Sequence, residues 1–214
     1  MPSLAKTFAS FVLLAVCSGP LCAEDAYYMI VFASQRPGNP ARYSHSFAAF
    51  VKVTNGPNKK PALETGVISW LPETGVVELK RLRPEPGRNF GLKETLDWAA
   101  GLQDEVFAWG PYLIKKELYD SARRQITTLN SGAVAYKAID LARPIGAVSN
   151  CIHAISDLDI TGDRLVTGTA RGAEASEMIV RFFRPWILRP EANHEWLSER
   201  LGLTNAKITF SKLE

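Results

Sequence analysis

The chain has 214 residues, 46% of them hydrophobic, and carries 25 Lys and Arg against 22 Asp and Glu, for a formal net charge of +3. This length and hydrophobic content suffice for one folded domain with a sizeable core. The near balance of charge, without a dense run of Lys and Arg, argues against a nucleic-acid-binding protein, so we expect no nucleic acid among its partners.

Residues 1–23 have the order of a secretory signal peptide. Lys6 is their only charged residue, and an apolar run from Phe8 to Val16 follows it. Ser18-Gly19-Pro20 then breaks the helix, and the small residue Ala23 ends the segment. The apolar run is about half as long as a membrane-spanning helix, and no other stretch is long and apolar enough to cross a membrane. We predict cleavage near Ala23 and export to the periplasm or the exterior; an uncleaved anchor is the alternative.

Cysteine usage singles out one residue of the predicted mature chain, residues 24–214, which we expect to form a single domain. The sequence has three cysteines, and two of them, Cys17 and Cys22, leave with the signal peptide. Exported proteins normally use cysteine in disulfide pairs. The remaining Cys151 is therefore buried and inert, paired with another molecule, or reactive.

The first half of the mature chain has the composition of a sheet. Four stretches rich in aromatic and β-branched residues are predicted as strands: Tyr27–Ala33, Tyr43–Thr54, Gly66–Leu71 (ended by Pro72) and Val76–Leu82. Stretches rich in Pro, Gly and Asn are predicted as loops: Gln35–Ala41, Asn55–Pro61 and Arg83–Asn89. In the second strand the odd positions share one face, so His45 and Phe47 are expected to point the same way.

The second half is more helical. Val106–Trp109 is predicted as a short buried strand or a core turn, and Ala206–Phe210 as a closing strand. Arg181–Trp186 is predicted to pack as a helix end on the domain, with a membrane-surface contact as the alternative. Because most strands precede most helices, the predicted fold class is α+β, with an antiparallel sheet packed against the helix that carries Cys151. Helical spacing or a capping residue predicts the helices: Leu92–Leu102, Lys115–Leu129, Ser149–Leu158, Glu174–Phe183 and Asn193–Leu201.

Cys151 lies in the first turn of a predicted helix, which Ser149 or Asn150 is placed to cap. The unpaired N–H groups and the positive dipole end of a first turn stabilise a thiolate. The same N–H groups can donate to the oxyanion that forms when a thiolate attacks a carbonyl. A nucleophilic cysteine also needs a base within hydrogen-bond reach.

Three histidines are available as that base. His153 points roughly 200° away from Cys151 on a helix, and His194 is interpreted as a solvated first-turn residue. His45, near a strand start beside a Pro/Gly-rich loop, is the candidate base, with a hydrogen-bonded histidine on a sheet face as the alternative. A metal site would have to combine His45, Cys151 and a carboxylate without any recognised ligand spacing, so we predict no metal and no cofactor.

The order of these elements resembles the circularly permuted branch of the NlpC/P60 papain-like superfamily, which includes lecithin:retinol acyltransferase-like proteins and bacterial permuted amidases. A histidine strand, Tyr43–Phe47, comes first, and a strand ending in Ser69-Trp70-Leu71-Pro72 follows. About a hundred residues after the histidine, Ser149–Ala154 opens a helix with an Asn-Cys pair. In ordinary members the cysteine helix precedes the histidine strand. The resemblance covers Tyr27 to Leu158, so residues 159–214 are predicted as a C-terminal helical extension.

The resemblance implies Cys151 as the nucleophile, His45 as the base and Ser69 as the third, orienting residue. A serine hydroxyl is uncharged and stabilises an imidazolium less than a carboxylate does, so Glu64 is an alternative orienter. Asn150 and Trp70 are predicted to contribute to the binding of substrate.

The function predicted from these residues is that of an exported cysteine hydrolase or acyltransferase that acts on an amide or ester bond. The resemblance implies a peptide of the cell wall as the substrate, or else a lipid ester. The rival prediction is a non-catalytic secreted binding module of the same fold. The oligomeric state is left open.

Overall fold

The computed structural model of this chain describes residues 25–38, 44–54, 61–139, 148–160 and 162–212. The predicted signal peptide, Tyr43 and most of the loop predicted at Asn55–Pro61 lie outside these ranges. Within them, two sheets and five α-helices confirm the α+β class.

Nine strands of the described ranges form the two sheets. The larger sheet has the order β3-β2-β1-β6-β9 and the smaller one β4-β5-β7-β8. Neighbouring strands are antiparallel except for β6 with β9 and β7 with β8, which are parallel. The strands are β1 Ala26–Gln35, β2 Ser44–Thr54, β3 Ala62–Ile68, β4 Trp70–Pro72, β5 Glu85–Asn89, β6 Glu105–Ile114, β7 Ala135–Tyr136, β8 Val148–Ser149 and β9 Ile208–Ser211.

The helices cover both faces of the larger sheet. Along β1 and β2, alternate side chains enter two separate apolar clusters, as the two-residue period of a strand requires. One cluster joins the sheet to α2, α3 and α4, and the cluster on the opposite face joins it to α1. The helices are α1 Leu92–Gly101, α2 Lys116–Asn130, α3 Cys151–Ser156, α4 Gly172–Phe182 and α5 Glu195–Arg200.

The centre of the sheet is buried on both sides. Residues 29–33 of β1 are fully inaccessible to solvent, and Phe32 stacks on Phe47 of β2 with ring centroids 4.7 Å apart. Each such side chain contributes about 1.5–3 kcal/mol by leaving water. This core holds the start of β2 rigidly, and the candidate site is built on that strand.

The third predicted strand is divided. Ile68 ends β3 in the larger sheet, and Trp70 starts β4 in the smaller one, so the chain crosses between sheets at Ser69. The side chain of Asn89 bridges the crossing, because its Oδ1 accepts from the Ser69 N–H at 2.8 Å and its Nδ2 donates to the Val67 carbonyl at 2.8 Å.

The strand predicted at Val76–Leu82 is wrong. That stretch forms turns, with Val76 60% and Leu82 88% exposed, whereas the segment predicted as a loop contains β5. The ring of Trp70 explains this choice, since it lies so close to Gly87 of β5 that a Cβ there would be 2.1 Å from it. Packing of one tryptophan on a glycine therefore selects the pairing of β4 with β5, against the β-branched composition of Val76–Leu82.

The remaining elements agree with their patterns within a few residues, although Val106–Trp109 proves to be part of the ten-residue strand β6. The segment Arg181–Trp186 ends α4 and continues into a 3-10 turn, where Phe183 is fully buried against the domain. Across the described ranges, no helix combines the length and apolar character needed to span a bilayer.

Candidate active site around Cys151

Cys151 is the first residue of α3, directly after β8 of the smaller sheet. Asn150 is the N-cap of this helix, and its Oδ1 accepts a hydrogen bond from the His153 N–H at 2.8 Å. The predicted capping residue is thereby confirmed as Asn150. This cap fixes the turn that holds the thiol, which is a free, partly exposed cysteine.

The thiol lies among hydrogen-bond donors. Burial raises the pKa of the Cys151 thiol, while the backbone N–H groups of Ser46, Cys151 and Ile152 and the positive charge of Arg171 oppose this rise. The net direction is upward, so the resting thiol is protonated at neutral pH. These groups nevertheless stabilise negative charge on the sulfur once it forms.

A cavity of about 280 Å³ opens beside Cys151. One wall comes from Ser44 and Ser46 of β2, and the floor from the first residues of α3. The opposite side is formed by the loop 164–168 and by the start of α4. The apolar side chains of Val77 and Leu79 also line it. Cys151 is therefore accessible from a space large enough for a small acyl group.

His45 is buried elsewhere, in a chain of hydrogen bonds. Its side chain is 1% exposed, and its Nε2 lies 2.9 Å from the Ser69 Oγ. The hydroxyls of Ser69 and Thr95 are 2.8 Å apart, and the Thr95 Oγ1 donates to the Gly91 carbonyl at 2.9 Å. Burial lowers the pKa of His45 to about 3, so its ring is neutral.

The donor and acceptor roles along this series of hydrogen bonds determine the tautomer of His45. A carbonyl only accepts, so the Thr95 proton goes to Gly91, and the Ser69 hydroxyl must then donate to Thr95. Ser69 is left to accept from the His45 Nε2–H. The lone pair therefore lies on Nδ1, a buried atom with no hydrogen-bonding partner.

The structure brings His45 and Ser69 together, and His45 is not among the described residues that line the Cys151 cavity. His45 stacks on Phe47 and meets the edge of Trp98, on the α1 face of β2. Ser46, the next residue along the strand, points to the opposite face, where its Oγ lies 2.8 Å from the Ser176 Oγ of α4 and it lines the Cys151 cavity. Alternation along the strand thus directs the side chains of His45 and Ser46 to opposite faces of β2. No hydrogen bond joins His45 to Cys151 within the described part of the chain.

Two other predicted residues lie away from the cavity. Glu64 pairs with Arg123 at 3.2 Å on the surface, so it does not orient His45. Trp70 is fully buried in the core, which places it under β5 instead of on a substrate-binding surface.

His153 lines the cavity, but both of its ring nitrogens are engaged. An Arg164 guanidinium nitrogen lies 2.9 Å from Nδ1, and Nε2 lies 3.2 Å from the Leu165 carbonyl oxygen. Because guanidinium only donates, Nδ1 is the acceptor and Nε2 carries the proton. His153 thus holds the loop 164–168 in place and is not free to act as a base.

Comparison of the chain with protein-family models, with curated proteins and with solved structures gives no match. The functional argument therefore rests on the residues of the site. No group of three or more His, Cys, Asp or Glu placed to hold a metal ion occurs among the residues described.

The cavity residues that were not predicted from the sequence include Ser46, Arg164 and Arg171. Ser46 adjoins the candidate histidine, and a strand's alternation shows that one of two neighbouring residues faces each side. Which side α3 covers depends on tertiary packing. The two arginines come from the part of the chain beyond the resemblance.

A second cavity, of about 670 Å³, is lined by Pro111 of β6 and by His194 and Ser198. The interpretation of His194 as a solvated residue is wrong. Its ring packs edge-on against Tyr28 at 5.0 Å, and burial lowers its pKa.

Gly172, at the start of α4, is expected to be intolerant of a side chain. Its φ is +56°, and a Cβ would lie 2.3 Å from the Gln35 Oε1, which accepts from the Ala173 N–H at 2.9 Å. Gly172→Ala should lower the free energy of unfolding by about 1–3 kcal/mol, measured by urea denaturation. Gly168→Ala is the matched control, with φ +57° but nothing within 4 Å. Equal losses in the two variants would contradict a role for the Gln35 contact.

Proposed function

We propose that this protein is an exported cysteine hydrolase or acyltransferase with Cys151 as its nucleophile. The observation that carries the proposal is the position of the thiol: it borders a cavity at the start of α3, and the backbone of Ser46, Cys151 and Ile152 favours negative charge on it, against the effect of burial on its pKa. A structural cysteine needs neither an accessible cavity nor backbone donors. The choice between a cell-wall peptide and a lipid ester as substrate rests on the resemblance to the permuted NlpC/P60 branch.

In the proposed reaction the Cys151 sulfur attacks the carbonyl carbon of an amide or ester. A carbon–sulfur bond forms and the carbonyl electron pair moves onto oxygen, where N–H groups at the start of α3 stabilise it. Collapse of this intermediate breaks the bond to the leaving group, which takes the proton given up by the thiol. Water or another acceptor then attacks the thioester, releases the acyl group and restores the thiol.

The resemblance assigns removal of the thiol proton to His45. Because the His45 ring packs against Phe47 and Trp98 and does not line the Cys151 cavity, we assign His45 a positioning role instead: through Ser69 it holds the point where the chain passes between the sheets. The thiol proton then leaves through water in the cavity or passes to the leaving group.

A non-catalytic binding module is the second candidate, and two observations favour it. No hydrogen bond joins a histidine to Cys151 among the described residues, and burial raises the pKa of Cys151, which lowers the thiolate fraction. In this case the cavity would bind a ligand without forming a covalent bond to it.

Trapping of the acyl-enzyme separates the two functions. The protein is incubated with peptidoglycan fragments or with lipid esters, quenched in acid, digested and examined by mass spectrometry. The proposal predicts that the peptide containing Cys151 gains the mass of the acyl group, and that no other peptide does. Product release without this adduct in any quench, or binding of the fragments without product, would contradict it.

A further inference from the structure

The cavity beside Cys151 has an unbalanced charge. Arg164 and Arg171 both line it, and none of the described residues that line it is Asp or Glu. An anion entering this space therefore meets two cationic side chains and no carboxylate from the lining residues.

The two arginines differ in how they are held. The Arg164 Nε lies 3.4 Å from an Asp157 carboxylate oxygen, and the guanidinium also meets His153, so part of its charge is neutralised. Arg171 donates only to backbone carbonyls, those of Ala170 at 2.6 Å and Gly168 at 3.3 Å. These two contacts fix the guanidinium in place and leave its charge without a carboxylate partner among the described residues.

Arg171 also stands at the N-cap of α4, a helix of 11 residues that starts at the cavity. The positive end of this helix dipole adds to the field of the guanidinium. One of the first-turn N–H groups, that of Ala173, is already satisfied by Gln35 at 2.9 Å. The fixed guanidinium is therefore the main donor that α4 offers to a ligand.

We infer that the acyl substrate of Cys151 carries a compact oxyanion, a carboxylate or a phosphate, which binds beside Arg171 close to the reacting carbonyl. That this ligand is a substrate rests on the proposed function, whereas the anion site itself rests on the charges and contacts of the cavity. Arg171 serves two purposes here, because it neutralises the anion of the ligand and favours negative charge on the nearby sulfur.

Two alkylating agents of similar shape test this inference without any turnover. Iodoacetate and iodoacetamide both form a carbon–sulfur bond with the Cys151 thiolate and release iodide, but only iodoacetate carries a carboxylate. Because both react with the same thiolate, the ratio of their rates does not depend on the thiol pKa. The rates are measured at low salt by mass spectrometry of the peptide that contains Cys151.

The folded protein is expected to show an iodoacetate-to-iodoacetamide ratio about tenfold higher than the same chain unfolded in urea, as one charge-assisted contact implies. Arg171→Gln should return the ratio to the unfolded value, and Arg171→Lys should keep most of it. Arg184→Gln, an exposed position just after the far end of α4, is the control and should change nothing.

Protection experiments distinguish the source of the anion. Acetate and inorganic phosphate are each tested for slowing of the iodoacetamide reaction, and the stronger protector identifies a carboxylate or a phosphate substrate. A ratio equal in folded and unfolded chains, or unchanged by Arg171→Gln, would overturn the inference. A preserved ratio together with the absence of any acyl-enzyme would overturn the proposed function alone and leave the anion site standing.

Discussion

The wild-type protein is expected to lose stability steeply between pH 6 and pH 4, and a His45→Gln variant is expected to lose much less. The cause is the burial of His45, which lowers its pKa to about 3 in the folded protein, while an unfolded chain has a histidine pKa of about 6.5. Between these two values the unfolded state binds a proton that the folded state does not.

The sign of the effect follows from this difference. Above about pH 6.5 His45 is neutral in both the folded and the unfolded state, so its titration contributes nothing to the pH dependence of the free energy of unfolding. As the pH falls below that value, protonation favours the unfolded state by about 1.4 kcal/mol per pH unit, roughly 4 kcal/mol in total before the folded form also titrates. A loss of that size is a large part of the 5–15 kcal/mol typical of a domain.

The two stability curves should therefore cross. At pH 7 the variant is expected to be the less stable by about 1–3 kcal/mol, because the contacts of His45 with Ser69, Phe47 and Trp98 are altered. Near pH 4 it should match or exceed the wild type. Urea denaturation at each pH measures the difference, and His194→Gln is the control, since that ring is only half-buried. Parallel curves for wild type and His45→Gln would rule out the buried neutral histidine.

Replacement of Cys151 by Ala should lower turnover of peptidoglycan fragments or lipid esters by roughly three orders of magnitude or more, because the covalent intermediate can no longer form. The folded structure should be retained, since the residue is only partly buried at the start of a capped helix. Cys151→Ser is expected to be nearly as inactive, because a serine hydroxyl has no base beside it here.

The wild-type rate should also rise with pH beyond the ordinary thiol range near 8.5, since burial raises the pKa of Cys151 and only the thiolate attacks. Substrate binding, measured by calorimetry on Cys151→Ala, should survive. Turnover by this variant within tenfold of wild type would end the case for a cysteine nucleophile.

Local patterns predicted much of the fold. The capped start of α3 at Asn150, the long amphipathic helix α2 and the alternation along β2 are all properties of neighbouring residues, and the sequence displays them directly. The exchange of Val76–Leu82 for β5 was not predictable, because it depends on Trp70 and Gly87 meeting across the chain.

The candidate site was predicted in part for the same reason. The pairing of His45 with Ser69 was implied by the resemblance, and the two side chains lie 2.9 Å apart in the structure. The direction in which His45 points relative to Cys151 depends on which face of β2 receives α3 and which receives α1. A single residue of register decides between His45 and Ser46 as the side chain next to the cavity, and only tertiary packing supplies that information.

The passage of the chain between the two sheets at Ser69 has a consequence for substrate size. The Cys151 helix follows β8 of the smaller sheet, whereas the facing wall, Ser44 and Ser46, belongs to the larger one. The cavity is therefore lined from both sheets. Asn89 ties the two sheets together where the chain crosses, with two 2.8 Å hydrogen bonds, so under the proposed function we expect this residue, which does not line the cavity, to influence how bulky an acyl group reaches the sulfur.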